Sequence, residues 1–398
     1  MSLSSASLSG LRVIDLSRVL GGPYCTQVLA DHGADVVKIE PPSGDETRGW
    51  GPPFQGDAAS YFHGLNRGKR GMSLDLGQEE GRALLLELLE SADVLVENFK
   101  PGTLEKWGLG YDDLKKRFSR LIHCRISGFG ADGPMGGLPG YDAVIQAMAG
   151  LMSVNGEQGG DPLRVGLPIV DIVTGLNAVI GITLALHERA HSGQGQFVEA
   201  ALFDSGLSLM HPHFPNIFYG GPAPQRTGNA HPNIAPYEVY KTATQPLFLT
   251  VGNNGQFAKL CDELNCPALT EDPRFVDNGA RLANRDALRD ALEEAMRDRD
   301  GLALAEHLIG NGVPCGPVLE ASQILAHPHT AHREMIVELG DYKGTGSPIK
   351  LSRTPCRYQR PPPTFAQHTE DILRDIGTSP ERIARLIEQG ITPTEKKR

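Results

Sequence analysis

The 398-residue sequence lacks most features that classify a protein quickly. Its six cysteines are scattered and form no CxxC pair, which argues against a disulfide framework and for reduced thiols in a reducing compartment. No Lys/Arg run exceeds the closing "EKKR", and the net charge is −10. Nucleic-acid binding needs a basic face, so it is not expected. No apolar run reaches about 18 residues without a polar or charged break, so no membrane span and no membrane partner are expected. The start "MSLSSASLSGLR" has neither a secretory apolar core nor an Arg-rich amphipathic pattern. The expectation is a cytoplasmic enzyme.

Signature motifs are missing too. The turn "SRVLGGPYC" has glycines between a strand and a helix, yet the full GxGxxG dinucleotide pattern is absent. No GxSxG elbow occurs, and "RISGFG" and "FDSGLS" lack its spacing. Histidines cluster in "AHPHTAHREM" and in "HPH" at His211–His213, but on Pro-broken loops without a closing ligand, so no metal is expected.

What is present is alternation. "LRVIDL", "DVVKIE", "MSLDL", "DVLVENF", "RLIHCRISGFG" and "QFVEAAL" read as strands. "YCTQVLADHGA", "GQEEGRALLLELLESA" and "GYDAVIQAMAGLM" read as helices between them. Alternating strands and helices imply βαβ units and a mostly parallel sheet, an α/β fold with a Rossmann-like large domain. Residues 210–236, rich in Pro, Gly, His and Asn, read as a linker. A smaller α+β domain follows, including one long helical stretch from "ANRDALRD" to "LIGNG". The boundaries predicted are 1–225 for the large domain, 226–328 for the small one, and 329–398 returning to the large one.

Candidate functional residues begin with Asp171, in "GLPIVDIVTGLNAVIGITLAL", ahead of a long apolar helix. An Asp there is an ordinary N-cap. "NRGKR" places Lys69 and Arg70 beside a glycine, a pattern that suits phosphate. "VENFKPG" places Asn98 and Phe99 at the end of a strand, where open α/β sheets gather ligands and where an amide and an aromatic ring could hold a base.

Taken together, the stretches from "LRVIDLSRVLGGPYC" to "KIEPPSGDETRGW", with "LNRGKR", "DVLVENFKPG", "GYDAVIQAMAGLM", "PIVDIVTG", "SGQGQFVEAAL", "GNNGQF" and "GVPCGPV", resemble the class III CoA-transferases. The resemblance runs in order along nearly the whole chain. It implies a CoA thioester as substrate, no permanently bound cofactor, a carboxylic acid as second substrate, and an interlocked homodimer. It implies that Asp171 is a nucleophile, held ionised at a helix N-terminus, that forms a mixed anhydride and then a covalent CoA thioester. It carries CoA contacts onto Val19, Gly21, Leu74, Asn98, Phe99, Lys106, Tyr141 and Asp142, and a covering loop onto Gly252, Asn253, Asn254, Gly255 and Gln256.

The chain departs from the formyl-CoA members, which have Gln where Leu20 stands, Arg where Pro41 stands, and Lys where Gly77 and Pro139 stand. Formyl or oxalate specificity is therefore not expected, and phosphate binding falls to Lys69 and Arg70. The related α-methylacyl-CoA racemases have His where Tyr141 stands, so epimerisation is the disfavoured alternative. The strings "GDETRGWGPPF" and "NGEQGGDPLRVG" look most like transferases pairing succinyl-CoA with a dicarboxylate such as glutarate. A distal carboxylate wants a guanidinium fork, and Arg48 and Arg164 are the candidates.

Overall fold

The structure, a computed structural model, describes residues 6–396. The chain divides into two compact units. The first takes the chain up to Leu151, Arg164–Pro215, and the chain from Pro328 on; the second takes Met152–Leu163 and Asn216–His327. Met152–Leu163, which the sequence assigns to the N-terminal region, is thus part of the second unit. Arg226 holds it there by donating to the carbonyls of Gly160 and Ser153.

The first unit is built on six parallel strands: β1 (Arg12–Asp15), β2 (Asp35–Glu40), β3 (Arg70–Ser73), β4 (Val94–Glu97), β5 (Ile122–Ser127) and β6 (Phe197–Ala201). They lie in the order β3-β2-β1-β4-β5-β6. Strands such as "VLVE" and "IHCRIS" are buried at every residue. That is why they read as apolar runs rather than alternating ones: helices cover both faces of a parallel sheet. Helices α1 (Gly21–Asp31), α2 (Glu79–Leu89), α3 (Asp142–Met148) and α4 (Ile169–Ser192) belong to this unit. Helix α2 puts Leu84, Leu85, Leu88 and Leu89 into the core, a helical spacing on one face. Two C-terminal helices, Thr369–Asp375 and Pro380–Glu388, return Leu373, Ile383 and Leu386 to the same core.

Helix α3 is shorter than the sequence suggests. It ends at Met148, and a separate turn, Leu151–Val154, follows Gly150 in the left-handed region at φ 93°. Helix α4 is long and apolar enough to cross a membrane by length and composition, although polar and charged residues interrupt its apolar run as the sequence shows. Its polar breaks, Thr174 and Asn177, are mild enough for a helix to absorb. One face of α4, with Val170, Thr174, Ala178, Ile182 and Ala185, is buried.

The second unit has a three-stranded antiparallel sheet: β7 (Tyr237–Tyr240), β8 (Leu247–Thr250) and β9 (Cys315–Pro317). Its long helical stretch, residues 283–312, is two helices, Arg285–Met296 and Gly301–Gly310, and a short one, Asn278–Ala283, precedes it. The last begins where the Asp300 side chain accepts the Ala303 N–H at 2.9 Å, a cap that stops the preceding helix from running on.

Helices α1 and α4 cross in very close contact. A Cβ on Gly175 would lie 2.6 Å from the Gly21 carbonyl oxygen, a backbone atom that cannot swing aside. A Cβ on Gly181 would meet only a Val198 methyl at that distance, the end of a side chain. Gly175→Ala is therefore expected to lower stability by about 1–3 kcal/mol through overpacking. Gly181→Ala is expected to be near neutral, because helix propensity offsets the milder clash. Urea denaturation of the two variants checks both.

Candidate active site

The strand order reverses direction between β1 and β4, and ligands of open α/β sheets bind at such a point, beyond the strands' C-terminal ends. The loops that leave β1, β4 and β5 there enclose a cavity of about 330 Å³ with the head of α4. Val19, Gly21, Asn98, Phe99, Tyr141 and Asp171, all singled out in the sequence, line it. So do Arg18, Glu46 and Lys100, which sequence reasoning passed over.

Asp171 is the third residue of α4, and Pro168 stands at the cap position with no side chain able to accept a bond. The cap comes instead from Asp142 at the start of α3. Its Oδ1 accepts the N–H groups of Val170 at 2.8 Å and Asp171 at 3.2 Å, and its Oδ2 accepts Gln146 Nε2 at 2.7 Å. The N-cap reading of Asp171 is thus corrected. Its side chain is left free to face the cavity. The helix terminus does not keep its acidity ordinary either. Burial, reinforced by the nearby Asp142 carboxylate, pushes the Asp171 carboxyl up to about 7. Gly21 lies beside this group: a Cβ there would be in ordinary contact with Asp171 Oδ1, at 3.7 Å.

The β1 loop is held rigidly. Val19 takes the left-handed conformation at φ 69°. Asn98 clamps the main chain of Arg18, with Oδ1 accepting its N–H at 2.9 Å and Nδ2 donating to its carbonyl at 2.7 Å. The Asn98 amide is therefore committed to the protein rather than open to a base. Phe99 is open, and packs edge-on against Trp107 at 6.1 Å. A second cavity of about 190 Å³ shares Arg18 and Phe99 with the first and is also lined by Leu74 and Trp107. Pro41 and Gly77 line this second cavity, while Leu20 and Pro139 line the first, so all four departures from the formyl-CoA members fall at these walls.

Tyr61 was also missed. Burial and the charges of Asp171, Asp142 and Asp45 push its phenol up to about 12, and Trp50 packs edge-on against it at 5.1 Å. No local motif marks it; only the folded chain brings its ring into the field of Asp171.

Other candidates are corrected. Lys69 is fully buried and donates to Asp15 Oδ2, the Pro23 carbonyl and Asn66 Oδ1. Arg70 begins β3, at the end of the strand away from the cavity, and pairs with Asp35 and Asp375. Neither is available to a phosphate at the cavity. Arg48 is buried over the Phe62 ring, with its fork on Glu40 and a further bond to Asp57. Arg164 is exposed, donates to the adjacent Val165 carbonyl and does not line the cavity. Lys106 is exposed and lines neither cavity. The Gly252–Gln256 loop lies in the second unit, where Asn253 caps the helix Asn254–Glu263 and Gln256 Oε1 accepts the Gly252 N–H at 2.8 Å. Among the described residues no group of His, Cys, Asp and Glu is placed to hold a metal.

The pattern that defines CoA-transferase family III matches residues 8–369. The succinate–glutarate CoA-transferase of Agrobacterium fabrum is 42% identical over 93% of this chain and 96% of its own. The acetyl-CoA:oxalate CoA-transferase of Acetobacter aceti is 39% identical over 94% of this chain and 96% of its own. A crystal structure of a CAIB/BAIF family protein from Brucella suis superposes with a TM-score of 0.85 at 41% identity, covering 94% of this chain and all of that one.

A carboxyl raised from 3.8 to about 7 binds its proton more tightly folded than unfolded, so it lowers stability progressively as pH rises across that interval. Asp171→Asn is expected to match wild-type stability near pH 4 and to exceed it above pH 7 by roughly 1–3 kcal/mol. Chemical denaturation across pH 4–8 measures the difference.

Proposed function

The chain belongs to CoA-transferase family III and is a CoA-transferase, and from that premise we propose that Asp171 carries CoA between two carboxylic acids, the acceptor being a dicarboxylate. The observation that carries this reading is the raised carboxyl of Asp171 in the cavity at the sheet's reversal point.

The ionised carboxylate attacks the acyl-CoA carbonyl. The C–S bond breaks, CoA leaves as a thiolate, and a mixed anhydride with the donor acid remains. The thiolate then attacks the aspartyl carbonyl, releasing the donor as a free carboxylate and leaving CoA in thioester linkage to Asp171. The acceptor carboxylate reverses these steps: it forms a second anhydride, the thiolate attacks the acceptor's carbonyl, and Asp171 departs ionised. One thioester replaces another, so neither ATP nor a metal is required. A carboxylate of higher basicity is a stronger nucleophile, and apolar neighbours such as Val19, Leu20 and Ile126 limit hydrolysis of the anhydride. The coenzyme's pantetheine arm reaches this cavity, and its adenine occupies the second one against Phe99. Epimerisation would need a second acid–base group opposite Asp171; among the described residues no histidine lines the cavity.

A homodimer is part of the proposal. Ile180 and Leu184 on α4 are 56% and 65% exposed, an apolar face that a second copy would cover. The six free thiols fit a cytoplasmic setting.

The direct test incubates the protein with succinyl-CoA and glutarate and follows glutaryl-CoA by mass spectrometry, with hydroxylamine trapping at residue 171. Asp171→Asn is expected to lose about 10³-fold or more. Full exchange by that variant would remove Asp171 from the mechanism. Asp142→Asn takes away a like charge, so the rise of kcat/KM with pH, expected near 7, should move to lower pH. Light scattering should give about twice 42.9 kDa, and Leu184→Glu should reduce it.

A further inference from the structure

We infer that Arg18 anchors the second, unreacting carboxylate of the dicarboxylate acid, and that Glu46 occupies that anchor until the acid arrives. The inference rests on the transferase reading and deepens it by assigning acid specificity to one side chain.

Arg18 and Glu46 line the same cavity as Asp171. Arg18 Nη1 lies 3.0 Å from Glu46 Oε2, and the two side chains remain 40% and 35% exposed, so solutes can reach the pair. The backbone under each is fixed. Asn98 holds the Arg18 main chain from both sides. Buried Lys38 donates to the Ser17 carbonyl, one residue before Arg18, and to Asp45 Oδ2, one residue before Glu46. Asp45 in turn starts the short helical turn Glu46–Gly49 by accepting the Thr47 N–H. One buried ammonium group therefore ties both supports together. A reachable ion pair on an immobile base lets one carboxylate replace another without backbone movement.

Charge and shape favour the same occupant. The cavity's acidic lining is Asp171 and Glu46, and its cationic lining is Arg18 and Lys100. An acid whose reacting end sits at Asp171 brings its second negative charge into this field and needs a cation there. The guanidinium presents a planar fork to a carboxylate. Glu46 already offers it the same functional group as the substrate. Arg48 and Arg164, the guanidinium groups expected for this task, lie outside the cavity lining. Arg18 also borders the second cavity, so a coenzyme phosphate is the rival occupant.

The experiment uses succinyl-CoA as donor with glutarate or pentanoate as acceptor, chains of equal length with and without the second carboxylate. Arg18→Gln should lower the ratio of kcat/KM for glutarate over pentanoate by roughly ten- to hundredfold, the cost of one charged contact, and Arg18→Lys should restore part of it. Glu46→Gln should raise the ratio, by freeing the guanidinium. Calorimetric titration of glutarate into CoA-saturated protein needs no turnover, and Arg18→Gln should weaken that binding to a similar degree. If Arg18→Gln instead raises the KM for succinyl-CoA and weakens CoA binding while the ratio holds, the guanidinium serves the coenzyme phosphates and the inference is overturned. A wild-type protein that binds glutarate through Arg18 but exchanges no CoA would overturn the transferase mechanism and leave the anchor standing.

Discussion

Two helices begin at almost the same point, and the site depends on that coincidence. Gly21 opens α1 and Gly175 is the seventh residue of α4, and only the absence of a side chain at Gly175 lets their backbones touch. The contact presses the head of α4 against the loop that leaves β1. Asp142 fixes the same helix head from the side, through two backbone N–H groups. A carboxyl group placed where three chain segments meet is stripped of much of its water, and its proton becomes harder to remove. The chemistry of Asp171 is thus a consequence of backbone packing.

The strands below the cavity carry charges that a sheet covered on both faces would ordinarily exclude. Asp15, Lys38, Glu40 and Glu97 are fully buried, and Arg125 nearly so. Each has a partner: Lys69 for Asp15, Asp45 for Lys38, Arg48 for Glu40, and Arg125 for Glu97. Burial opposes the charge on Asp45, yet Lys38 and the Thr47 bonds outweigh it and hold its carboxyl at about 2. Removing one partner of such a pair leaves an uncompensated buried charge, a loss of about 3–5 kcal/mol. Directional bonds of this kind set loop positions more sharply than apolar packing does. Here they hold Ser17 and Asp45, the residues on which Arg18 and Glu46 are mounted.

The sequence disclosed the layers and the place of Asp171 but not the partnerships. Strand and helix alternation is a local signal, and it led to a parallel sheet with Asp171 heading α4. Asn98 was found for the right place and the wrong reason, since a strand-end amide looks the same whether it faces a ligand or clamps a loop 80 residues away. Arg48 and Lys69 looked available because their partners are invisible locally; Lys69 reaches Asp15 across 54 residues. Arg18, in "SRVLGGPYC", carries no local sign of a role, because Glu46 meets it only in the folded chain. The helix breaks at Gly150 and before Gly301 were legible in principle, from a left-handed glycine and a capping Asp, but the apolar spacing around them concealed both.

The buried ion pairs and the raised carboxyl share one electrostatic logic. A cation beside Asp171 would pull its acidity back toward that of an ordinary carboxylate and, in the proposed mechanism, blunt its attack. This region of the fold is rich in cations, yet burial and Asp142 are what set the acidity of Asp171. Lys38, Arg48 and Lys69 are each saturated by other carboxylates below the cavity floor, and Arg18, inside the cavity, is occupied by Glu46. Pairing these four positive charges with other acids leaves none of the four as a counterion for Asp171. The internal acids of this fold therefore matter to the acidity of Asp171 as well as to stability, because they engage Lys38, Arg48, Lys69 and Arg18.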